Sequence, residues 1–354
     1  MRTRLGLAAV FLVSGLAVIG LVMIIGFMLI EVKPVRPSAH GIVFATMTPR
    51  PQVSLNEGQR SREFVPTPIP GSYFAGANEL GKIMVLEYHR IGYPEDRYQR
   101  TPDNFRSDLQ RLYQGGYYPV NFIDLIQGLS HVPAGKKPVV LTFDDSDISQ
   151  FRLLPDNNID ADSAVGIILN FHYEYGDDWP PRATFFVLGN DTGNHSAIFG
   201  QPDWAKAKIQ YLVDQGMEVG SHTVNHTDLS VATAERIEWE LAVSQYVIEQ
   251  LAPGYKVQTL AAPYGGFPYT LAFFKAGRWG EFSYTYTGNA AAWGGPTVSP
   301  FDPAFEPYRV SRLEVTEIWI DHWLTYFEQN PHEYYISDGD PHRLTHPQQI
   351  AAGE

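Results

Sequence analysis

The chain has 354 residues and no cysteine, and its formal net charge is −13, from 39 acidic side chains against 26 lysines and arginines. A protein that binds nucleic acid presents a basic face to the phosphates, so this charge argues against a nucleic-acid partner. Without cysteine the chain forms no disulfide and has no thiol to oxidise, which fits a location outside the cytoplasm without proving it.

The N-terminus carries a long segment without charge. Residues 5–30 are 26 uncharged positions, which as a helix would measure about 39 Å and could cross a bilayer core of about 30 Å. A cleaved signal peptide has a shorter apolar region and a small-x-small cleavage site, and neither is clear here. Arg2 and Arg4 favour a cytoplasmic N-terminus, although Lys33 and Arg36 weaken the charge contrast. We expect an uncleaved signal anchor, with a cleaved signal peptide as the alternative.

Composition divides the rest of the chain. Repeated prolines with few periodic apolar positions predict a partly extended linker that holds a folded domain off the membrane. The region after this linker has about 270 residues, a normal size for one α/β barrel domain. The predicted segments are a cytoplasmic stub (1–4), a transmembrane anchor (5–30), a linker (31–71), one domain (72–345) and a C-terminal tail (346–354).

Strand and helix patterns alternate along the domain. The first helix is marked by Thr101 as its cap, Pro102 at its first position and an apolar stripe of Phe105, Leu109 and Leu112. Such alternation predicts a largely parallel sheet. Predicted strands are 83–86, 117–122, 139–143, 184–188, 216–220, 259–262 and 308–315, and the later predicted helices are 204–215, 233–251 and one that carries Ile318, Trp319 and Leu324.

Two adjacent carboxylates, Asp144 and Asp145, end the apolar strand predicted at 139–143. Two acids at this place are not explained by packing. On a strand their side chains would point to opposite faces, so they can serve two different roles. The competing interpretation is that the pair caps a helix.

Two histidines, His222 and His226, follow another predicted strand. Four positions apart, they can share one ion if the backbone turns helically. One carboxylate and two imidazoles leave open positions for water and substrate, as in catalytic zinc sites, and the second carboxylate is free to act as a base. A second pair with this spacing, His342 and His346, has no strand before it and is interpreted as part of the tail.

These motifs together resemble the polysaccharide deacetylase family, also called the NodB-homology or carbohydrate esterase family 4 enzymes. Residues 183–187 resemble the family's second core strand, and residues 262–265 resemble its Pro-Tyr-Gly loop. The resemblance covers roughly residues 82–315. It implies an α/β fold, a distorted (β/α)7 barrel of the NodB type, here preceded by one N-terminal transmembrane helix.

The resemblance also implies roles for particular residues. Asp145, His222 and His226 would be the metal ligands, and Asp144 would be the general base. The oxyanion would be stabilised by the metal and by a backbone N–H near Tyr264. Zn²⁺ is the expected ion, although cobalt, nickel or iron could occupy the same donors.

The general acid departs from the common family pattern. Many members carry a late histidine, but residues 308–315 contain none. One subgroup, the extracellular poly-N-acetylglucosamine deacetylases of biofilm systems, places the acid histidine early, in a Tyr-His context. Tyr88-His89 fits that position, so the resemblance assigns the acid to His89. The alternative is a histidine that is hydrogen-bonded at a strand end and has no catalytic duty.

Three further departures from the family pattern concern other residues. Many members have an arginine before the Pro-Tyr-Gly loop that holds the base, where this chain has Ala261 and Ala262; Arg312 on the late strand could replace it. The aspartate that normally orients the acid histidine is not identifiable. Ser146 stands where a glycine commonly follows the aspartate pair.

Aromatic residues in two regions leave their role open. The stretch 147–182 is long and holds Phe171, Tyr173, Tyr175 and Trp179, which either form a substrate-side loop or pack among themselves. Trp279, Tyr284, Tyr286 and Trp293 carry the same two interpretations.

The expected function is that of a cell-membrane deacetylase with an extracytoplasmic catalytic domain. It would remove N-acetyl groups from an N-acetylglucosamine polymer, with exopolysaccharide favoured over peptidoglycan. Two alternatives remain open: an amidase for a non-sugar substrate, and an inactive glycan-binding member of the fold.

Overall fold

The computed structural model describes residues 76–189 and 198–347. The predicted stub, transmembrane anchor and linker, with most of the predicted tail, lie outside these residues. Within the described ranges no helix is both long enough and apolar enough to cross a membrane.

Twelve strands and seven α-helices alternate over the described residues. The strands are β1 (Met84–Tyr88), β2 (Arg90–Ile91), β3 (Gln99–Arg100), β4 (Tyr117–Val120), β5 (Lys137–Phe143), β6 (Thr184–Val187), β7 (Glu218–Ser221), β8 (Thr259–Ala261), β9 (Ala276–Trp279), β10 (Phe282–Thr285), β11 (Gly288–Ala290) and β12 (Leu313–Glu314). The helices are α1 (Pro102–Gln114), α2 (Phe122–Ile126), α3 (Ala164–Tyr175), α4 (Ala205–Asp214), α5 (Ala234–Leu251), α6 (Ala272–Lys275) and α7 (Glu317–Gln329).

The core is one sheet whose strands pair in the order β11–β8–β7–β6–β5–β1–β12, with β4 also paired to β5. Every strand pair in this sheet is parallel. The parallel α/β sheet predicted from the alternating pattern is therefore confirmed. Because the strands are parallel, β1, β5, β7 and β8 all present their carboxyl ends at the same edge, which is where sites are built in such sheets.

The last predicted strand, 308–315, is broken in the structure. Val310 pairs with Ala290 beside β11, whereas Leu313 and Glu314 pair with β1 at the opposite end of the strand order. This segment therefore connects the two ends of the sheet, which curls as a barrel does. The break falls at Ser311 and Arg312, so these residues leave the strand pairing.

Helix signals in the sequence agree with the structure at several ends. The Thr101 hydroxyl accepts a hydrogen bond of 3.2 Å from the backbone N–H of Asn104, and the stripe Phe105, Leu109 and Leu112 is fully buried. One detail was wrong, because residues 117–122 are a strand only to Val120 and α2 begins at Phe122. The helix predicted to carry Ile318, Trp319 and Leu324 is α7, on which Ile318 and Trp319 face solvent while Ile320, Leu324 and Phe327 are buried.

Three of the four aromatic residues named in the 147–182 stretch, Phe171, Tyr175 and Trp179, pack in one cluster, whereas Tyr173 is 78% exposed. Phe171 and Trp179 are buried with ring centroids 5.2 Å apart, and Tyr175 lies 4.1 Å from Tyr113. Trp179 comes shortly before β6 begins and Tyr113 shortly before β4, so the cluster lies at the amino ends of the strands. It is a packing cluster at the end of the sheet opposite the carboxylate pair.

Candidate active site

Three donor atoms converge where β5 and β7 end. The Oδ1 atom of Asp145 lies 3.3 Å from Nε2 of His222 and 3.2 Å from Nε2 of His226. A tetrahedral zinc ion with bonds of about 2.0–2.2 Å would hold its ligand atoms roughly 3.3 Å apart. The spacing of these donors therefore fits one ion of that size.

The His222 ring is fixed by the neighbouring strand. Its Nδ1 atom lies 2.8 Å from the backbone carbonyl of Ala261, at the end of β8. This contact requires the proton on Nδ1, which leaves the Nε2 lone pair directed toward Asp145. Burial opposes ionisation of Asp145, but the neighbouring His222 and His226 outweigh it and hold the pKa of this carboxyl well below its usual range.

The histidine pair does not lie on a helix, so that part of the prediction was wrong. Thr223 and His226 have φ values of 69° and 55°, in the left-handed region. The backbone N–H groups of Val224 and Asn225 donate to the Glu240 carboxylate at 2.7 and 2.9 Å. A fully buried Glu240 on α5 therefore shapes the loop that brings both imidazoles together. The sequence signal for this role is the position of Glu240 itself, an acid three residues after Ile237 on the buried stripe of the helix.

Asp144 and Asp145 point in different directions, as expected, although the cause is not strand alternation. The strand ends at Phe143, and Asp145 and Ser146 have φ values of 75° and 50°. This left-handed turn sends Asp145 toward the histidines. It also explains why a glycine suits the position of Ser146, because a left-handed conformation costs other residues about 1–2 kcal/mol.

Asp144 is held by two hydrogen bonds from Arg312. Nη1 donates to Oδ1 at 2.8 Å and Nη2 to Oδ2 at 2.7 Å, and both side chains are almost fully buried. Burial opposes ionisation, but the guanidinium holds the pKa of the Asp144 carboxyl below its usual value. Arg312 also donates to Thr142 Oγ1 and to the Ala291 carbonyl, at 3.1 and 2.6 Å.

A second group of titratable side chains adjoins this pair. Donor atoms of Glu87, His89 and Asp144 all lie within 4.8 Å of one another. His89 is mostly buried, and burial lowers its pKa although Asp144 and Asp145 act in the opposite direction. Glu87 was not predicted as part of the site. Its signal is a charged residue in the otherwise uncharged strand 83–88.

Exposed aromatic side chains border the converging groups. Tyr264, in the short turn of Pro263–Gly265, is 61% exposed, and its ring lies 4.5 Å from that of His226. Tyr98 is partly exposed, with its ring 5.2 Å from that of His89. Trp293 is 65% exposed and lies against Gly265.

The other uncertain aromatics lie away from this rim. Tyr284 and Tyr286 are buried, and Trp279 packs beside Phe282 and Trp239 on the β9–β10 hairpin and α5. Of the second histidine pair, His342 is exposed. Neither His342 nor His346 joins a cluster of possible metal ligands.

The sequence profile of the polysaccharide deacetylase family matches residues 131–276. The match contains the aspartate pair, the histidine pair and Tyr264 in one aligned stretch. Residues 131–276, about two fifths of the chain, are therefore assigned to the polysaccharide deacetylase family, whose members are hydrolases. His89 and Arg312 lie outside the matched residues, so the profile does not test their roles.

A chitooligosaccharide deacetylase of Sinorhizobium fredii is 31% identical over 83 residues, which are 23% of this chain and 34% of that protein. The chain thus matches about a third of the length of this curated relative. Solved structures of polysaccharide deacetylases share the fold at lower identity.

Three solved structures each align with 70% of this chain. BC0361, a polysaccharide deacetylase from Bacillus cereus, gives a TM-score of 0.52 at 22% identity over 69% of its own chain. The deacetylase PplD of Streptococcus pyogenes, solved with acetate, gives 0.51 at 21% identity over 98% of its chain. IcaB from Ammonifex degensii gives 0.50 at 20% identity over 97% of its chain.

Proposed function

We propose that this protein is a metal-dependent deacetylase that hydrolyses N-acetyl groups of an N-acetylglucosamine-containing polysaccharide. The observation that carries the proposal is that two adjacent carboxylates make different contacts. Asp145 faces two imidazoles at the spacing of metal ligands, while Asp144 is held by two hydrogen bonds from Arg312. Family membership supports the same chemistry.

The residues that would hold the ion are Asp145, His222 and His226, with Zn²⁺ as the expected occupant. When bound, such an ion polarises the amide carbonyl and lowers the pKa of a water molecule. The donor set fits because the Ala261 carbonyl already fixes the His222 tautomer that ligation requires.

Asp144 acts as the base in this proposal. Arg312 keeps it ionised and fixes its plane, so one oxygen can accept a proton from the attacking water. The hydroxyl adds to the carbonyl carbon, the C–N bond breaks, and acetate leaves. The amine nitrogen needs one proton as it departs, and His89 stands close enough to Asp144 to serve the same reacting group.

Two observations support a glycan substrate. The curated relative with the 83-residue match is described as a chitooligosaccharide deacetylase. Exposed rings of Tyr98, Tyr264 and Trp293 border the site, and aromatic rings pack well against sugar rings. The early position of His89 favours an exopolysaccharide over peptidoglycan. The uncharged segment 5–30 supports anchoring at the cell membrane with the catalytic domain outside the cytoplasm.

The test is acetate release by the full chain in detergent, loaded with zinc, from β-1,6- and β-1,4-linked N-acetylglucosamine oligomers. We expect release from at least one linkage, lost in Asp145→Ala and kept in His342→Ala, a histidine outside the site. Oligomers bound without acetate release would favour the inactive glycan-binding alternative. Release from simple N-acetyl amides alone would favour the non-sugar amidase.

A further inference from the structure

Glu87 is a buried carboxyl group near the carboxyl end of β1. It is 5% exposed, and its strand β1 pairs on both sides, with β5 and β12. A carboxyl at such a position costs stability unless other groups compensate for its lost hydration. The packing of β1 alone does not require an acid here, because an apolar side chain of similar volume would fill the same space.

The contacts of Glu87 join the two halves of the site. Its Oε1 atom lies 3.3 Å from Nη2 of Arg312 and 3.7 Å from Nε2 of His89. Its Oε2 atom is buried and has no hydrogen-bond partner within the described part of the chain. Arg312 is already neutralised by its two bonds to Asp144, so a second carboxylate is not needed to balance the guanidinium.

We propose that Glu87 is the positioning residue for His89 and shares one proton with it. The inference rests on the proposed deacetylase function, in which His89 supplies the proton for the leaving amine. Through Arg312, the same carboxyl fixes the acid histidine relative to the base Asp144. Glu87 thereby takes the place of the orienting carboxylate that could not be identified from the sequence.

The charges around the pair support one shared proton. Burial raises the pKa of Glu87 to about 8; Arg312 and His222 oppose this, while Asp144 and Glu314 add to it. Burial lowers the pKa of His89. Both shifts favour uncharged forms, so near neutral pH the pair holds one proton, on either the carboxyl or the imidazole.

The proton count balances over the reaction. Asp144 gains one proton from the attacking water, and the Glu87–His89 pair gives one proton to the amine nitrogen as the C–N bond breaks. Proton transfer from Asp144 to solvent and from solvent to the pair restores the starting state. No oxidant, reductant or other co-reactant is required.

The first test compares wild type with Glu87→Gln, which keeps the shape and removes the titratable group. We expect kcat to fall about 10- to 100-fold with KM within about twofold, because His89 does its work after substrate binds. The control is Glu314→Gln. Glu314 is the partner of Glu87 in the strand register, and its carboxylate forms an ion pair with Arg97. We expect it to retain wild-type kcat.

The second test measures the protonation of the Glu87–His89 pair without substrate turnover. The imidazole pKa of His89 is measured by NMR of the zinc-loaded full chain, with His89→Asn to assign the signal. We expect the titration of the His89 signal to move to lower pH in Glu87→Gln, because glutamine can neither exchange the shared proton with the imidazole nor become a carboxylate when the imidazole holds that proton. If the glutamine variant does not fold, Glu87→Asp is measured in the same way and should shift the His89 pKa in the same direction.

The outcomes separate the inference from the function. An unchanged His89 pKa together with wild-type kcat in Glu87→Gln would overturn the role of Glu87 and leave the deacetylase intact. If the His89 pKa differs between wild type and Glu87→Gln but the wild type releases no acetate from any acetylated substrate, the pairing of Glu87 with His89 is retained and the proposed function is overturned.

Discussion

Arg312 and Asp144 are joined by two hydrogen bonds of 2.8 and 2.7 Å, although 168 positions separate them in the chain. The contact exists because the strand predicted at 308–315 breaks at Arg312. Val310 pairs with β11 and Leu313 with β1, so Ser311 and Arg312 between them leave the strand pairing. The same break that connects the two ends of the sheet thus supplies the cation that holds Asp144.

The first prediction concerns this pair. In Arg312→Lys the charge remains, but the planar fork that holds both carboxylate oxygens is lost. We expect kcat to fall about 100-fold through misplacement of Asp144, with zinc content unchanged. The measurement is steady-state acetate release beside metal analysis of the same samples.

Arg309→Lys is the matched control, because Arg309 lies on the same segment, is exposed and packs over Phe267. We expect wild-type kinetics from it. Arg312→Lys with undiminished kcat would mean that the orientation of Asp144 does not limit the reaction.

The second prediction concerns the metal ligands. His226→Ala leaves Asp145 and His222 as the remaining donors, and we expect zinc affinity to fall by more than about 100-fold, beyond the loss typical of outer-shell changes. Acetate release should disappear with the metal and in wild type treated with a chelator. Equilibrium dialysis against buffered zinc measures the affinity.

His342→Ala provides the comparison, since this exposed histidine belongs to a pair with the same spacing that joins no cluster of three possible metal ligands among the described residues. It should bind zinc as wild type does. Equal zinc affinity in both alanine variants would place the metal elsewhere.

The sequence predicted which side chains lie together better than it predicted the geometry that brings them together. Asp144, Asp145, His222 and His226 were singled out because acids and imidazoles after apolar strands have few structural uses. Their convergence depends on left-handed turns at Asp145 and His226. Local patterns do not report such turns when no glycine or asparagine marks them.

Residues that orient the candidate site from other elements of the fold were harder to predict. Arg312 was suspected from its place on the late strand, but its bonds depend on a strand break that the apolar pattern of 308–315 does not show. Glu87 was missed because it is a single acid in an apolar strand, and Glu240 was missed because it is one of several acids on α5. An acid on a predicted buried face is the signal that both share.

The third prediction concerns Trp293, which is exposed beside the Pro-Tyr-Gly loop. In Trp293→Ala we expect KM for an acetylated oligomer to rise about 10-fold, corresponding to roughly 1–1.5 kcal/mol of lost ring packing, with kcat nearly unchanged. Tyr173→Ala removes an even more exposed ring from α3 and should leave KM as it is. An unchanged KM in Trp293→Ala would exclude this ring from the substrate surface.

The fourth prediction concerns stability and pH. Glu218, at the start of β7, is buried and accepts hydrogen bonds from Thr184, Thr259 and the backbone N–H of Ile123. Burial raises its pKa to about 7 from an ordinary value of 4.5, although these hydrogen bonds oppose the shift. The folded state therefore binds more protons than the unfolded chain between these two values.

The stability contributed by protonated Glu218 is fully present below pH 4.5 and is lost as the pH rises through 7. The loss amounts to about 3 kcal/mol. In Glu218→Gln the side chain cannot ionise, so the free energy of unfolding should fall less steeply over this range. Urea unfolding at several pH values measures the difference.

Asp108, whose pKa burial raises to about 6, contributes equally to the pH dependence of both proteins and cancels in the comparison. Glu174 is an exposed acid on α3, and Glu174→Gln should reproduce the wild-type slope. A wild-type slope in Glu218→Gln would show that Glu218 ionises in the folded state as readily as in the unfolded chain.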